Sequence, residues 1–185
     1  MKVLKSIADW IYTFAIAFII TFLISIFLFQ PFKVEGHSMD PTLHNEQRIF
    51  ISKIQHTLSG LPEYGDIVVI DSRIERERSF KDDVLEFPLF QLILRDTDHA
   101  YYVKRVIGKP GDAIEIKNGI LYRNDVVLEE TYIKEPMNYS SEQKWVVPED
   151  HLFVMGDNRN NSLDSRSIGF IPAEHFLGVL VWKMP

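Results

Sequence analysis

The N-terminal part of the chain holds one long apolar run in which nothing alternates. Positions 10–29 are 20 residues without a charge, interrupted only by Tyr12, Thr13, Thr21 and Ser25. The run predicts a helix over 10–29 that stops at Pro31. At 1.5 Å of rise per residue it reaches about 30 Å, the thickness of a bilayer's hydrocarbon core. A core helix in so small a protein would rarely be apolar on every face. A cleaved leader would be followed by a small-x-small site, and the next residues are Gln30, Pro31, Phe32 and Lys33. The run therefore reads as an uncleaved transmembrane anchor in the cell membrane. Lys2 and Lys5 outweigh Asp9 ahead of it, which favours a cytoplasmic N-terminus (1–9) and an extracytoplasmic remainder (31–185).

From Pro31 onward short apolar stretches alternate with polar turns. Strands are predicted at 48–53, 67–70, 100–107, 113–117, 120–122, 126–128, 145–147, 152–155 and 176–182. Asn118-Gly119 is the strongest hairpin signal, and Asn124-Asp125 marks a second turn. Many short strands and few helical periods predict an all-β, partly open, β-barrel-like domain behind one transmembrane helix. The stretch 72–99 departs from this pattern. It opens with mixed charges and ends in apolar residues broken by Pro88. It admits a long hairpin or a helical excursion, and its plainest reading is a surface insertion with a small core of its own.

Composition narrows the chemistry. The 185 residues carry a net charge of −6, which disfavours binding to nucleic acid by bulk electrostatics. Without cysteine there is no disulfide scaffold, thiolate metal site or thiol nucleophile. His37, His44, His56, His99, His151 and His175 lack metal-ligand spacing, so no metal is expected. The polar run 156–166 weakly imitates a calcium loop, but Ser162 stands where that loop needs glycine. Neither a Gly-x-Ser-x-Gly elbow nor a phosphate-binding glycine loop occurs.

Three segments remain as candidates. Gly36-His37-Ser38-Met39-Asp40-Pro41-Thr42-Leu43 places a serine just beyond the anchor. In Tyr101-Tyr102-Val103-Lys104-Arg105-Val106-Ile107, period two puts Tyr102, Lys104 and Val106 on one face. If that strand is internal, burial strips Lys104 of proton affinity and makes it a candidate base. If it is an edge, the lysine snorkels to water. Gly156-Asp157-Asn158-Arg159-Asn160-Asn161-Ser162-Leu163-Asp164-Ser165-Arg166 is a dense polar loop after an apolar strand. Its ordering requires internal hydrogen bonds and ion pairs.

Together these segments closely resemble the type I signal peptidases, membrane-bound serine proteases, and the single anchor and small size look like the bacillus-like Gram-positive form. The resemblance covers most of the chain except 72–99. It implies a serine endopeptidase with a Ser–Lys dyad that removes signal peptides from exported preproteins at Ala-x-Ala-like sites. It implies Ser38 as nucleophile, with its own backbone N–H as oxyanion donor, and Lys104 as general base. Ser162 matches a serine that hydrogen-bonds and orients the lysine. Asp164 and Arg166 match a structural ion pair, and Asp157, Asn158 and Arg159 support the same loop. Gly36 stands where some relatives carry a second oxyanion hydroxyl. No cofactor is implied. The expected partners are preproteins, the lipid bilayer and a secretion translocon. The alternative is a catalytically inactive homologue acting in binding or assembly.

Overall fold

The computed structural model describes residues 2–85, 87 and 101–185. The remainder of the 72–99 stretch, and the expected strand start at Ala100, lie outside them. Helix α1 (Lys2–Phe27) comes first. Strands β1 (Phe29–Lys33) and β2 (Arg48–Ser52) follow, then the short helix α2 (Ile54–Thr57). Strand β3 (Ile67–Asp71) leads to helix α3 (Phe80–Leu85) and strand β4 (Tyr101–Gly108). Strands β5 (Ala113–Lys117), β6 (Ile120–Arg123), β7 (Val126–Val127) and β8 (Lys144–Val146) come next. Strand β9 (His151–Met155), helix α4 (Ser165–Ile168), strand β10 (Ile171–Pro172), a 3-10 turn (Ala173–His175) and strand β11 (Phe176–Lys183) complete the order.

The fold is mostly β. A seven-stranded sheet in the order β1-β2-β11-β3-β4-β9-β10 curls into an open half-barrel, and a four-stranded sheet runs β7-β6-β5-β8. The apolar run of β3 is explained by its central place: Val68 and Ile70 pack with Val106, Leu152, Val154 and Phe176, while Val69 packs on the other side with Met39, Leu43, Ile49 and Ile51. The small sheet closes its own core with Ile107, Ile114, Ile116, Leu121, Trp145 and Phe153. Its hairpins turn on Asn118 and Gly119, and on Asn124 and Asp125, all four with positive φ.

The apolar run predicted a helix through Phe29, but the helix ends at Phe27 and Phe29 opens β1. Tertiary bonds decide the boundary. Thr57 Oγ1 donates to the Phe27 carbonyl at 2.9 Å, and the Lys53 amide donates to the Leu28 carbonyl at 2.7 Å. Pro31 therefore sits within β1, which pairs with β2 alone, so its missing N–H falls on a sheet edge.

Behind β3 a charged knot secures the start of the 72–99 stretch. Asp71, fully buried, accepts from Arg73 at 2.8 and 2.9 Å, from Arg78 at 3.1 Å and from Arg76 at 3.3 Å. Burial raises its carboxyl pKa, but the Arg73 bonds and the arginine charges outweigh burial and hold it below the usual range. Its contribution to stability is complete above about pH 4 and is lost as acid protonates the folded form. Asp71→Asn leaves three guanidiniums without their shared anion. It should lower stability by about 3 kcal/mol at pH 7, read as a fall in Tm.

Candidate active site

Ser38 lies on a turn that both neighbours anchor. Met39 and Leu43 are buried in the core beneath the turn, and the Leu43 amide donates to the Met39 carbonyl at 3.0 Å. From the side, the Asn158 amide donates to the Ser38 carbonyl at 3.0 Å, and Asn158 Nδ2 donates to the His37 carbonyl at 3.0 Å. The Ser38 N–H finds no backbone acceptor among the described residues. It is a donor available to a developing oxyanion.

Lys104 approaches from β4. That strand is internal, with β3 on one side and β9 on the other, and Lys104 stands opposite Val68. Only 3 % of Lys104 is exposed. Of the two readings the sequence allowed, burial on a central strand is the one observed. Nζ donates to Ser38 Oγ at 2.8 Å and lies 5.2 Å from the centre of the Tyr102 ring. Burial brings the ammonium down to about 8, against the opposing pull of the Asp164 carboxylate.

The loop 156–166 forms the adjoining wall. Asp157 joins the two reacting segments: it accepts from Arg105 Nε at 2.7 Å and Nη2 at 2.5 Å, and from Thr42 Oγ1 at 2.5 Å. Asp164 accepts from Arg166 Nε and Nη2 at 2.8 Å each and from the Gly156 amide at 3.1 Å. It also caps α4 through the Arg166 amide. Arg166 Nη2 reaches the Arg159 carbonyl at 2.7 Å. Gly156 is sterically required, because a Cβ there would lie 2.5 Å from the Ser38 carbonyl oxygen and 2.3 Å from Ser162 Oγ.

Ser162 belongs to this wall, but its Oγ is buried with no hydrogen-bond partner among the described residues. The expected bond to Lys104 is not formed in this state. Arg159 turns away from the dyad: Nε donates to the Gly156 carbonyl at 2.9 Å, and its fork holds Glu130 at 2.5 and 3.0 Å. Arg105 and Arg159 both lie against the Tyr132 ring, at 3.9 and 5.8 Å. Glu130 and Tyr132 lie outside the three candidate segments, and Thr42 and Arg105 lie within them without an expected role. For Arg105 a signal existed, since a buried cation beside Lys104 on the opposite strand face requires an anion. No metal-holding cluster of His, Asp or Glu occurs among the described residues.

A serine and a dry lysine in hydrogen-bond contact, behind an apolar helix, can be compared with known proteins. The family described as signal peptidase, peptidase S26, matches residues 7–184. The chain belongs to this family. Signal peptidase I P of Bacillus subtilis subsp. natto is 37% identical over 186 residues, 95% of this chain and 87% of the relative. Signal peptidase IB of Staphylococcus aureus (strain COL) is 31% identical over 196 residues, 97% of this chain and 90% of the relative. A solved signal peptidase I from Enterococcus faecalis V583 is 28% identical, with a TM-score of 0.45, across 65% of this chain and 97% of its own.

Within this member of the family, the buried lysine carries a stability cost with a definite pH dependence. The folded chain releases the Lys104 proton near pH 8, and the unfolded chain near 10.5. Stability therefore rises with pH between these values, and below pH 8 the cost is fully present. Lys104→Met keeps the apolar stem and removes the charge. It should raise Tm at pH 7, and the gain should shrink by pH 10. Ser162→Ala removes a hydroxyl that has no partner, so thermal melting should show an unchanged or higher Tm.

Proposed function

We propose that this chain is a membrane-anchored serine endopeptidase that removes signal peptides from exported preproteins at Ala-x-Ala-like sites, with Ser38 as nucleophile and Lys104 as base. The observation that carries the assignment of roles is the 2.8 Å contact between Lys104 Nζ and Ser38 Oγ on a buried strand. The inactive-homologue alternative is not favoured, since both reacting groups are present and touching.

The reacting state has neutral Lys104. With its pKa near 8, about a tenth of the lysine is neutral at pH 7. Neutral Nζ accepts the Ser38 hydroxyl proton as Oγ attacks the scissile carbonyl carbon. The Ser38 N–H stabilises the oxyanion. The new Lys104 ammonium then gives its proton to the departing amine, and the acyl group remains on Ser38. Water, deprotonated by the same lysine, releases the acyl group and regenerates the hydroxyl. Asp157 positions both partners, since one carboxylate binds Thr42 near the nucleophile and Arg105 beside the base. Asp164 and Arg166 brace the wall, and Ser162 takes its lysine-orienting role from the resemblance to the family.

Strand β9 pairs with β4 only from Arg105 onward, so residues 101–104 have no strand neighbour on that edge among the described residues. An extended substrate can add there as a strand and bring its scissile carbonyl to Ser38. Helix α1 supports the anchor: Ile11, Phe14, Phe18, Ile19, Ile20, Leu23 and Ile24 are exposed around its circumference, and water is a poor solvent for such a surface. Lys2 and Lys5, outweighing Asp9, favour the cytoplasm for its start and the outside for 31–185. The secretion translocon, which delivers such substrates, is the neighbouring partner in this scheme.

Purified full-length enzyme should cut a preprotein after its Ala-x-Ala site, and Ser38→Ala and Lys104→Met should each lower kcat by at least about a thousandfold, the scale of losing a dyad member. Ser162→Ala should lose less. For wild type, kcat/KM should rise with pH through about 8 as Lys104 loses its proton. Full cleavage by either dyad variant would refute these roles.

A further inference from the structure

The stretch that follows β3 reaches the anchor helix. Phe87 is 7 % exposed, and its ring meets Phe22 edge-on at 5.0 Å and Phe18 edge-on at 5.9 Å between centroids. At 1.5 Å per residue, Phe22 and Phe18 lie about 7 and about 13 Å back from the end of α1. Both levels fall within one half of a hydrocarbon core about 30 Å thick.

The other end of the same short segment is held at the domain. Asp83, four positions before Phe87 (87 − 83), accepts from Lys53 Nζ at 3.1 Å and from Arg78 Nη2 at 3.0 Å. Lys53 is fully buried, and its own amide caps the Leu28 carbonyl just after α1. Thr57 caps Phe27 beside it. The charges therefore gather at the end of the anchor, where water and headgroups would lie, and the aromatic contact lies deeper along the helix. A charged knot above and a phenyl ring below suit an element that straddles a membrane surface.

We propose that Phe87, itself covered by protein, packs onto Phe18 and Phe22 at the depth of the acyl chains, and that the α3 segment thereby fixes the pose of the catalytic sheet over the bilayer. This inference rests on α1 being the membrane anchor. The chain is joined to α1 through β1, and a single covalent tether leaves tilt free. The α3 segment supplies a second attachment, through Arg78, which bonds Asp71 at the end of β3 and Asp83 in α3. A substrate whose own apolar segment is in the membrane then meets Ser38 at a set height and angle. A short soluble peptide has no such requirement.

The chain has no cysteine, so an introduced one is a unique labelling site. Phe87→Cys, Leu23→Cys and Glu142→Cys, each carrying an environment-sensitive fluorophore, are reconstituted in phosphatidylcholine–phosphatidylglycerol vesicles. The label at 87 should be quenched by acyl-chain nitroxide lipids and shielded from aqueous iodide, as at 23, and the label at 142 should show the reverse. A label at 87 that behaves like 142, while 23 reports lipid, overturns the proposal. A label at 23 that reports water overturns the anchor itself. In the same vesicles Phe87→Ser should lower kcat/KM about tenfold on an embedded preprotein, about 1.4 kcal/mol, with soluble-peptide turnover unchanged. Unchanged turnover also certifies a folded site. Equal losses on both substrates, or no loss on either, would contradict a role in pose.

Discussion

A lysine held out of water is the constraint on which this site depends. Lys104 reaches Ser38 Oγ at 2.8 Å only because β4 is central and its lysine-bearing face is dry. The same dryness makes the ammonium unfavourable and moves its proton affinity to where a base is useful near neutral pH. Stability and reactivity are therefore opposed at one side chain. The cost is tolerated because β4 lies within the larger sheet between β3 and β9, whose Val68 and Val154 pack with its own Val106.

Around that lysine, charge is arranged to hold without neutralising. Among the described residues no carboxylate accepts a hydrogen bond from Lys104 Nζ; its partner is the serine hydroxyl. Asp164 and Asp157, carboxylates whose charge acts on it, are occupied by Arg166 and by Arg105. An unpaired carboxylate in this position would restore the lysine's proton and remove the base. These carboxylates thus do two things: Asp157 ties the loop 156–166 to β4 through Arg105 and to the nucleophile turn through Thr42, and both spend their hydrogen bonds away from the lysine.

Much of the fold was legible because its signals are local. Alternation and turn residues located most of the strands, and Asn118-Gly119 fixed one hairpin through its φ requirements. The end of α1 was misplaced by two residues, since Phe29 continues the apolar run and only pairing with β2 removes it from the helix. Period two showed which face carries Lys104, but not whether that face is covered, because the turn that meets it carries Ser38, 66 positions earlier in the chain. The serine, lysine and polar loop were legible by family resemblance. Glu130, which holds Arg159 from 29 positions away, left no local mark, and neither did the contact of Phe87 with α1. Such links are products of topology, and sequence spacing does not encode them.

The most direct test is a titration of Lys104 itself. Full-length enzyme labelled with 13C at lysine Cε gives one resonance per lysine, and the signal missing from Lys104→Met identifies the one of interest. This resonance should titrate near pH 8, while exposed lysines titrate near about 10.4. A Lys104 that titrates with the exposed lysines would mean that the strand face is wet and that this side chain is not the base.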